Sequence, residues 1–231
     1  MPSFRFPALA AVSALALSAL SGPALALPLV ANGSFELTSA TGKTTFAGNV
    51  TGWSGGGGLT FIDFPGTADN GTYLSVYGPF PSTSPDGGNF VEADGDPNYS
   101  APIFQTLTGL TAGLQYDLTF FQAAGQQAGF TGPTTEQWAV SFGTTTMNSA
   151  KYSLAQGGVG PWQKQSMTFV ALASTQVLSF LATGTPLGAP PISFLDGVSV
   201  VASVPEPASA LLMGAGLVGL ATLRRRRTQR N

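Results

Sequence analysis

Tyr116-Asp117-Leu118-Thr119-Phe120-Phe121 sets Tyr116, Leu118 and Phe120 on one face of an extended chain. A period of two is the mark of a strand with one side buried. Outward from it the same texture recurs: runs of β-branched and aromatic residues separated by Gly, Pro, Asn and Asp clusters. Strands are expected over Leu59 to Ile62, Tyr73 to Val76, Asn89 to Ala93, Ile103 to Leu107, Gln115 to Gln122, Gln137 to Phe142, Gln163 to Val170, Gln176 to Ala182 and Ile192 to Val201. No segment between them sustains a period of 3.6. Many short strands with frequent turn signals predict an all-β fold, an antiparallel two-sheet sandwich whose sheets bury their alternate faces against each other.

Composition narrows the chemistry. The 231 residues hold no histidine and no cysteine. A Ser-His-Asp or Cys-His nucleophile, a His or Cys zinc site and a disulfide framework are therefore excluded. Charged residues are only 9%, while Gly (30) and Pro (17) are abundant, which disfavours long polar helices. Hydrophobic residues at 43% are enough to build a core rather than a disordered chain. In the middle of the chain Lys43, Lys151 and Lys164 stand against ten acids, a balance of −7. Such a body repels polyphosphate, and no basic stripe offsets this, so nucleic acid is not an expected partner. Gly55-Gly56-Gly57-Gly58 and the turn-rich segment from Pro79 to Gly88 suit loops at the ends of the sandwich. Neither carries the Lys-Ser/Thr ending of a phosphate loop.

Both ends read as addresses. Arg5 precedes an apolar run from Ala8 to Leu20, then Gly22-Pro23 and Ala24-Leu25-Ala26. These are the parts of a secretory signal peptide over residues 1–26, with a signal helix and cleavage after Ala26. At the other end Val204-Pro205-Glu206-Pro207 leads into sixteen uncharged residues, Ala208 to Leu223, and then Arg224, Arg225, Arg226 and Arg227. A helix over that stretch spans roughly 24 Å, so flanking residues complete a short hydrophobic span. The arginines hold their end on the cytoplasmic side and leave the body outside. Residues 204–231 resemble the PEP-CTERM sorting signal of exported proteins from Gram-negative bacteria that make exopolysaccharide. The resemblance implies recognition by an exosortase-like membrane protease, transient anchoring in the inner membrane through the C-terminal helix, and release to the cell surface or beyond. The alternative is a plain C-terminal anchor.

The body, residues 27–203, carries a second resemblance. Asn32-Gly33-Ser34-Phe35-Glu36, Trp53 after a Thr-Gly turn, Gln105-Thr106-Leu107 leading to Leu110-Thr111-Ala112-Gly113, and Phe194-Leu195-Asp196-Gly197-Val198-Ser199-Val200 are similar to the galactose-binding-like jelly roll of carbohydrate-binding modules and DUF642-type exported proteins. In that fold the first and last strands lie close together. The resemblance implies a structural calcium held by Glu36 and Asp196 with backbone carbonyls, a choice that suits a hard cation with six to eight oxygen ligands. Leu195-Asp196-Gly197 departs from the family's double Asp. The alternative reading is that Glu36 and Asp196 cap turns or face water.

Three further features bear on function. Glu92-Ala93-Asp94-Gly95-Asp96-Pro97-Asn98 packs three carboxylates into seven residues, which suits either a cation loop or ordinary Asx turns. Glu92, Glu136, Asp94 and Asp63 are the acids from which a glycoside hydrolase would draw a carboxylate pair. Flat sugar faces stack on exposed rings; Tyr99, Phe130 and Trp138 are the ligand candidates, whereas Trp53 and Trp162 belong to the core. The preferred expectation is a non-catalytic exported surface or matrix protein that associates with exopolysaccharide. Alternatives are a carbohydrate-active hydrolase on the same scaffold and an adhesin that binds protein.

Overall fold

A computed structural model describes residues 29–70 and 73–203. The signal segment 1–26, the sorting tail 204–231 and the two helices expected there lie outside the described residues. Those described form twelve strands and no helix: β1 Thr44–Thr45, β2 Ser54–Gly55, β3 Thr60–Asp63, β4 Phe90–Asp94, β5 Ile103–Thr108, β6 Gln115–Gln126, β7 Thr134–Phe142, β8 Thr145–Asn148, β9 Tyr152–Leu154, β10 Val159–Val170, β11 Thr175–Thr185 and β12 Pro191–Ala202. One sheet has the order β1-β3-β4-β12-β6-β10 and the other β2-β5-β11-β7-β8, with β9 also paired to β7. Every pairing is antiparallel. The fold is the two-sheet sandwich of a jelly roll.

Strand β6 lies in the first sheet between β12 and the edge strand β10. Its Tyr116, Leu118 and Phe120 are buried and face β7 and β11. Strand β7 answers with a strict alternation that turns Thr134, Glu136, Trp138, Val140 and Phe142 inward. Phe120, Trp138 and Phe180 meet edge to face at the middle of the core, with Phe120 to Phe180 at 5.2 Å. Each such ring contributes about 1.5–3 kcal/mol by leaving water.

The other face of the first sheet is not left to solvent. Residues 64–70 and 73–88 cross it and bury Ala68, Leu74, Val76 and Phe80 against Phe61, Phe90, Ala123, Ile192 and Phe194. The stretch expected as a strand from Tyr73 to Val76 belongs to this crossing. It makes only a bridge, Val76 to Gln127, and Tyr73 has φ 69°. Its apolar residues are spent on packing over the sheet, Val76 against Gly125, so no ladder forms. Four strands of two to four residues, β1, β2, β8 and β9, were not foreseen, since none is long enough to alternate visibly.

The two ends of the body close on each other. Leu29 N–H donates to Val200 O at 3.2 Å and Val198 N–H donates to Gly33 O at 2.9 Å. Trp53 is buried, with its indole N–H donating to Asn32 O at 2.9 Å. Trp162 is half-buried against the second apolar cluster, edge-on to Phe90 at 5.6 Å.

Candidate functional site

One end of the sandwich collects four loops and the crossing segment. Asp96 is the staple. Its carboxylate accepts from Asn98 N–H and side-chain amide, each at 2.9 Å, and from Gly188 N–H at 2.9 Å. These donors hold Asp96 below the usual carboxylate range, so it is ionised and engaged. The Asp94 to Asn98 stretch is thus built as Asx turns that fasten the 185–190 loop. Gln126 plays the same part nearby: its amide donates to Gly132 O at 3.1 Å and its carbonyl accepts from Gly157 N–H at 2.9 Å.

These fastenings leave apolar tips pointing outward. Tyr99 is 50% exposed, Phe130 36% and Leu187 64%. Tyr99 stands on the loop that Asp96 ties to Gly188, and Phe130 on the loop whose Gln127 N–H donates to Pro190 O at 3.2 Å. The two rings therefore rise on either side of the 185–190 loop. At the same end, lined by none of these rings, lies an open groove of about 560 Å³ bounded by Pro133, Thr134, Thr135, Ser153, Leu154, Ala155, Thr185 and Pro186. No carboxylate lines it.

Trp138 requires a correction. It is 1% exposed, its indole N–H donates to Phe194 O at 3.0 Å, and its ring meets Phe180 at 6.1 Å and 86°. It faces the core because inward positions on β7 fall on even residue numbers, and it has no face to offer a ligand.

The acids proposed for hydrolysis are occupied or enclosed. Lys43 bridges Asp63 at 3.1 Å and Glu92, all three buried. Burial drives Glu92 well above the normal carboxylate range, with the charge of Asp63 adding to it. One proton shared between two acids and one ammonium leaves the cluster neutral, the state that burial favours. Glu136 is 1% exposed on the inner face of β7, with no hydrogen-bond partner for either oxygen, and burial pushes it up to about 7. Asp94, also buried, is raised to about 6 by burial, against the pull of the Asp96 N–H that it accepts.

A separate locus gathers Asp196 with Ser84, and holds Asp86 and Glu36 near enough for their charges to act on Asp196. Asp196 accepts from Ser84 Oγ and, at 2.7 Å, from Gly197 N–H. Glu36 Oε1 accepts from Asn89 N–H at 2.7 Å. Burial raises Asp196 to about 8, and the negative charges of Asp86 and Glu36 push the same way. A side chain at Gly88 would displace the Glu36 carboxylate, and one at Gly197 would meet Asp86 at 3.2 Å. The donors are all hard oxygen and, among the described residues, no cation pairs with them, which is the ligand chemistry a calcium ion takes. Among the described residues no three acids stand close enough to hold a metal by themselves, so Ser84 and backbone carbonyls would complete the shell. Asp86 and Ser84 had no signal in the sequence beyond a turn-rich composition, because their approach to Asp196 spans 112 residues between Ser84 and Asp196.

Comparison with known proteins adds the address. Residues 203–227 match the PEP-CTERM protein-sorting motif, which marks the chain for export and sorting to the cell surface. No curated protein matches the sequence. Among solved structures, the chain is similar to TmCBM61 in complex with β-1,4-galactotriose, with 14% identity, TM-score 0.46, and 77% of this chain and 99% of that one covered. It is also similar to a CBM4 module, with 18% identity, TM-score 0.38 and coverages of 75% and 99%. The CBM22-1 xylan-binding domain of Paenibacillus barcinonensis Xyn10C is similar at 14% identity, TM-score 0.38 and coverages of 71% and 94%. At these identities, and with TM-scores below 0.5, the likeness assigns no property to this chain.

Proposed function

We propose that this is an exported, non-catalytic polysaccharide-binding protein of the cell surface or matrix. An exosortase-like protease removes the tail after transient anchoring in the inner membrane, and exopolysaccharide is the natural ligand. The observation that supports the reading is the pair of exposed rings, Tyr99 and Phe130, on loops held by engaged polar groups at the end of the sandwich that also carries a groove without a carboxylate. Rings on a pre-ordered scaffold stack on sugar faces without a large ordering cost. A structural calcium at Glu36 and Asp196, completed by Ser84, Asp86 and carbonyl oxygens, fastens the 84–89 segment to β12 and so stiffens the same sheet.

Native gels cast with galactan, xylan, β-glucan or mannan test the ligand reading. Retardation of the wild type in at least one gel is expected, with its loss in Tyr99→Ala/Phe130→Ala and no reducing ends released. Reducing ends that disappear in Glu136→Gln would instead establish a hydrolase. Chelation is expected to lower the melting temperature and added calcium to restore it; indifference to both removes the metal from the account. Mass spectrometry of the surface-exposed protein is expected to show a chain lacking Arg224 to Arg227.

A further inference from the structure

Tyr73 is 64% exposed, yet its backbone sits at φ 69°, a left-handed conformation that is costly for a bulky residue and persists only where surroundings impose it. Here the imposition is visible. The ring lies on Phe61 at 5.7 Å and 33°. Phe61 has the Lys43 ammonium 5.9 Å from its centroid. Lys43 also donates to Leu74 O, the residue after Tyr73, and to Thr67 O at 3.5 Å. The buried cluster of Lys43, Asp63 and Glu92 thereby fixes the backbone beside an exposed aromatic ring.

The same segment reaches the rings already described. Ala128 N–H donates to Ser75 O at 2.8 Å, Tyr77 N–H to Gln126 O at 2.9 Å, and the Tyr77 hydroxyl to Phe130 O at 2.8 Å. On the other side Leu59 N–H donates to Tyr99 O at 2.9 Å, two residues before Phe61. We propose that Tyr73 is a third sugar-stacking platform, so that this end of the sandwich binds an internal stretch of a neutral polysaccharide rather than a single terminal sugar. This rests on the glycan reading above. One ring covers one sugar, and three rings on three separate segments call for several. Residues 73–77, 95–100, 127–133 and 185–190 carry Asp96 as their one charge and no cation, so an acidic polymer has nothing to pair with.

Affinity electrophoresis of the purified protein in galactan, xylan, β-glucan and mannan gels decides it. Tyr73→Gly, which accepts the left-handed backbone, is expected to weaken retardation about threefold to tenfold, the scale of one ring stack. Tyr73→Phe is expected to stay within about twofold of wild type. Tyr73→Gly should melt no lower than Tyr73→Ala, which shows that the fold survives the loss of the ring. Monosaccharides should compete far less well than soluble fragments of the bound polymer. If Tyr73→Gly binds as wild type while Tyr99→Ala/Phe130→Ala does not, Tyr73 is no platform and the glycan reading stands. If monosaccharides compete as well as fragments, the internal-stretch claim fails. If the wild type is retarded in no gel, both readings fall.

Discussion

Gly33 O accepts the Val198 N–H at 2.9 Å, and a Cβ added at Gly33 would lie 2.9 Å from the Val198 carbonyl carbon and closer still to its oxygen. The start of the body is thus pressed onto its final strand at a point where only glycine fits, and the obstacle is backbone that cannot rotate away. Gly33→Ala is expected to cost about 2–3 kcal/mol in urea unfolding. Gly42→Ala, where an added Cβ meets nothing within 4 Å, serves as the control and should change stability by less than about 0.5 kcal/mol.

Lys43 balances one of two buried carboxylates and a proton the other, so its loss and theirs are unequal. Lys43→Met strands Asp63 and Glu92 without a cation and is expected to destabilise by about 3–5 kcal/mol. Glu92 already holds its proton readily because burial raises it, so Glu92→Gln should cost less than about 1.5 kcal/mol. Equal losses in chemical denaturation would contradict this division of charge.

Glu136 gives the fold a pH dependence of definite sign. Burial raises it from 4.5 to about 7, so the folded chain keeps a proton that the unfolded chain releases. Its contribution is full below about pH 4.5 and is lost as pH rises through about 7. At about 1.4 kcal/mol per unit, the swing is at most on the order of 3 to 4 kcal/mol. Glu136→Gln should flatten this part of the melting profile between pH 5 and 8 and be more stable than wild type at pH 8. A profile as steep as wild type in that variant would remove Glu136 as its source.

Trp138 and Tyr99 should separate stability from binding. Trp138→Ala empties a site at the centre of the core and is expected to cost about 3–5 kcal/mol. Tyr99→Ala removes an exposed ring and should change the melting free energy by less than about 0.5 kcal/mol while weakening retardation in polysaccharide gels.

The sandwich was legible from the alternation in Tyr116 to Phe121 and its repetitions, because period two survives wherever one face of a strand is buried. The site was only partly legible. Glu36 and Asp196 were named together only through a resemblance, and Tyr99 and Phe130 as rings that could stack on sugar, with packing as the alternative. Trp138 was misread although its strand alternates: Trp138, Val140 and Phe142 share one face against Gln137, Ala139 and Ser141, and the apolar face is the inner one. Lys43, Asp63 and Glu92 meet across strands β3 and β4 and the residue before β1, a neighbourhood set by pairing order rather than by spacing. Tyr73 carries strand-forming neighbours, yet it is held in a left-handed turn by contacts from residues 61 and 43, which no local pattern encodes.

The most direct measurement is a carbon–proton NMR titration, reading aromatic and methyl groups, of the protein with soluble fragments of whichever polysaccharide retards it. Shifts are expected at the rings of Tyr99 and Phe130 together with the groove residues Thr135 and Thr185, while the ring of Trp138 stays unmoved and no fragment is shortened. Shifts confined to the opposite end of the sandwich, or fragments cut during the titration, would contradict a non-catalytic site at this end.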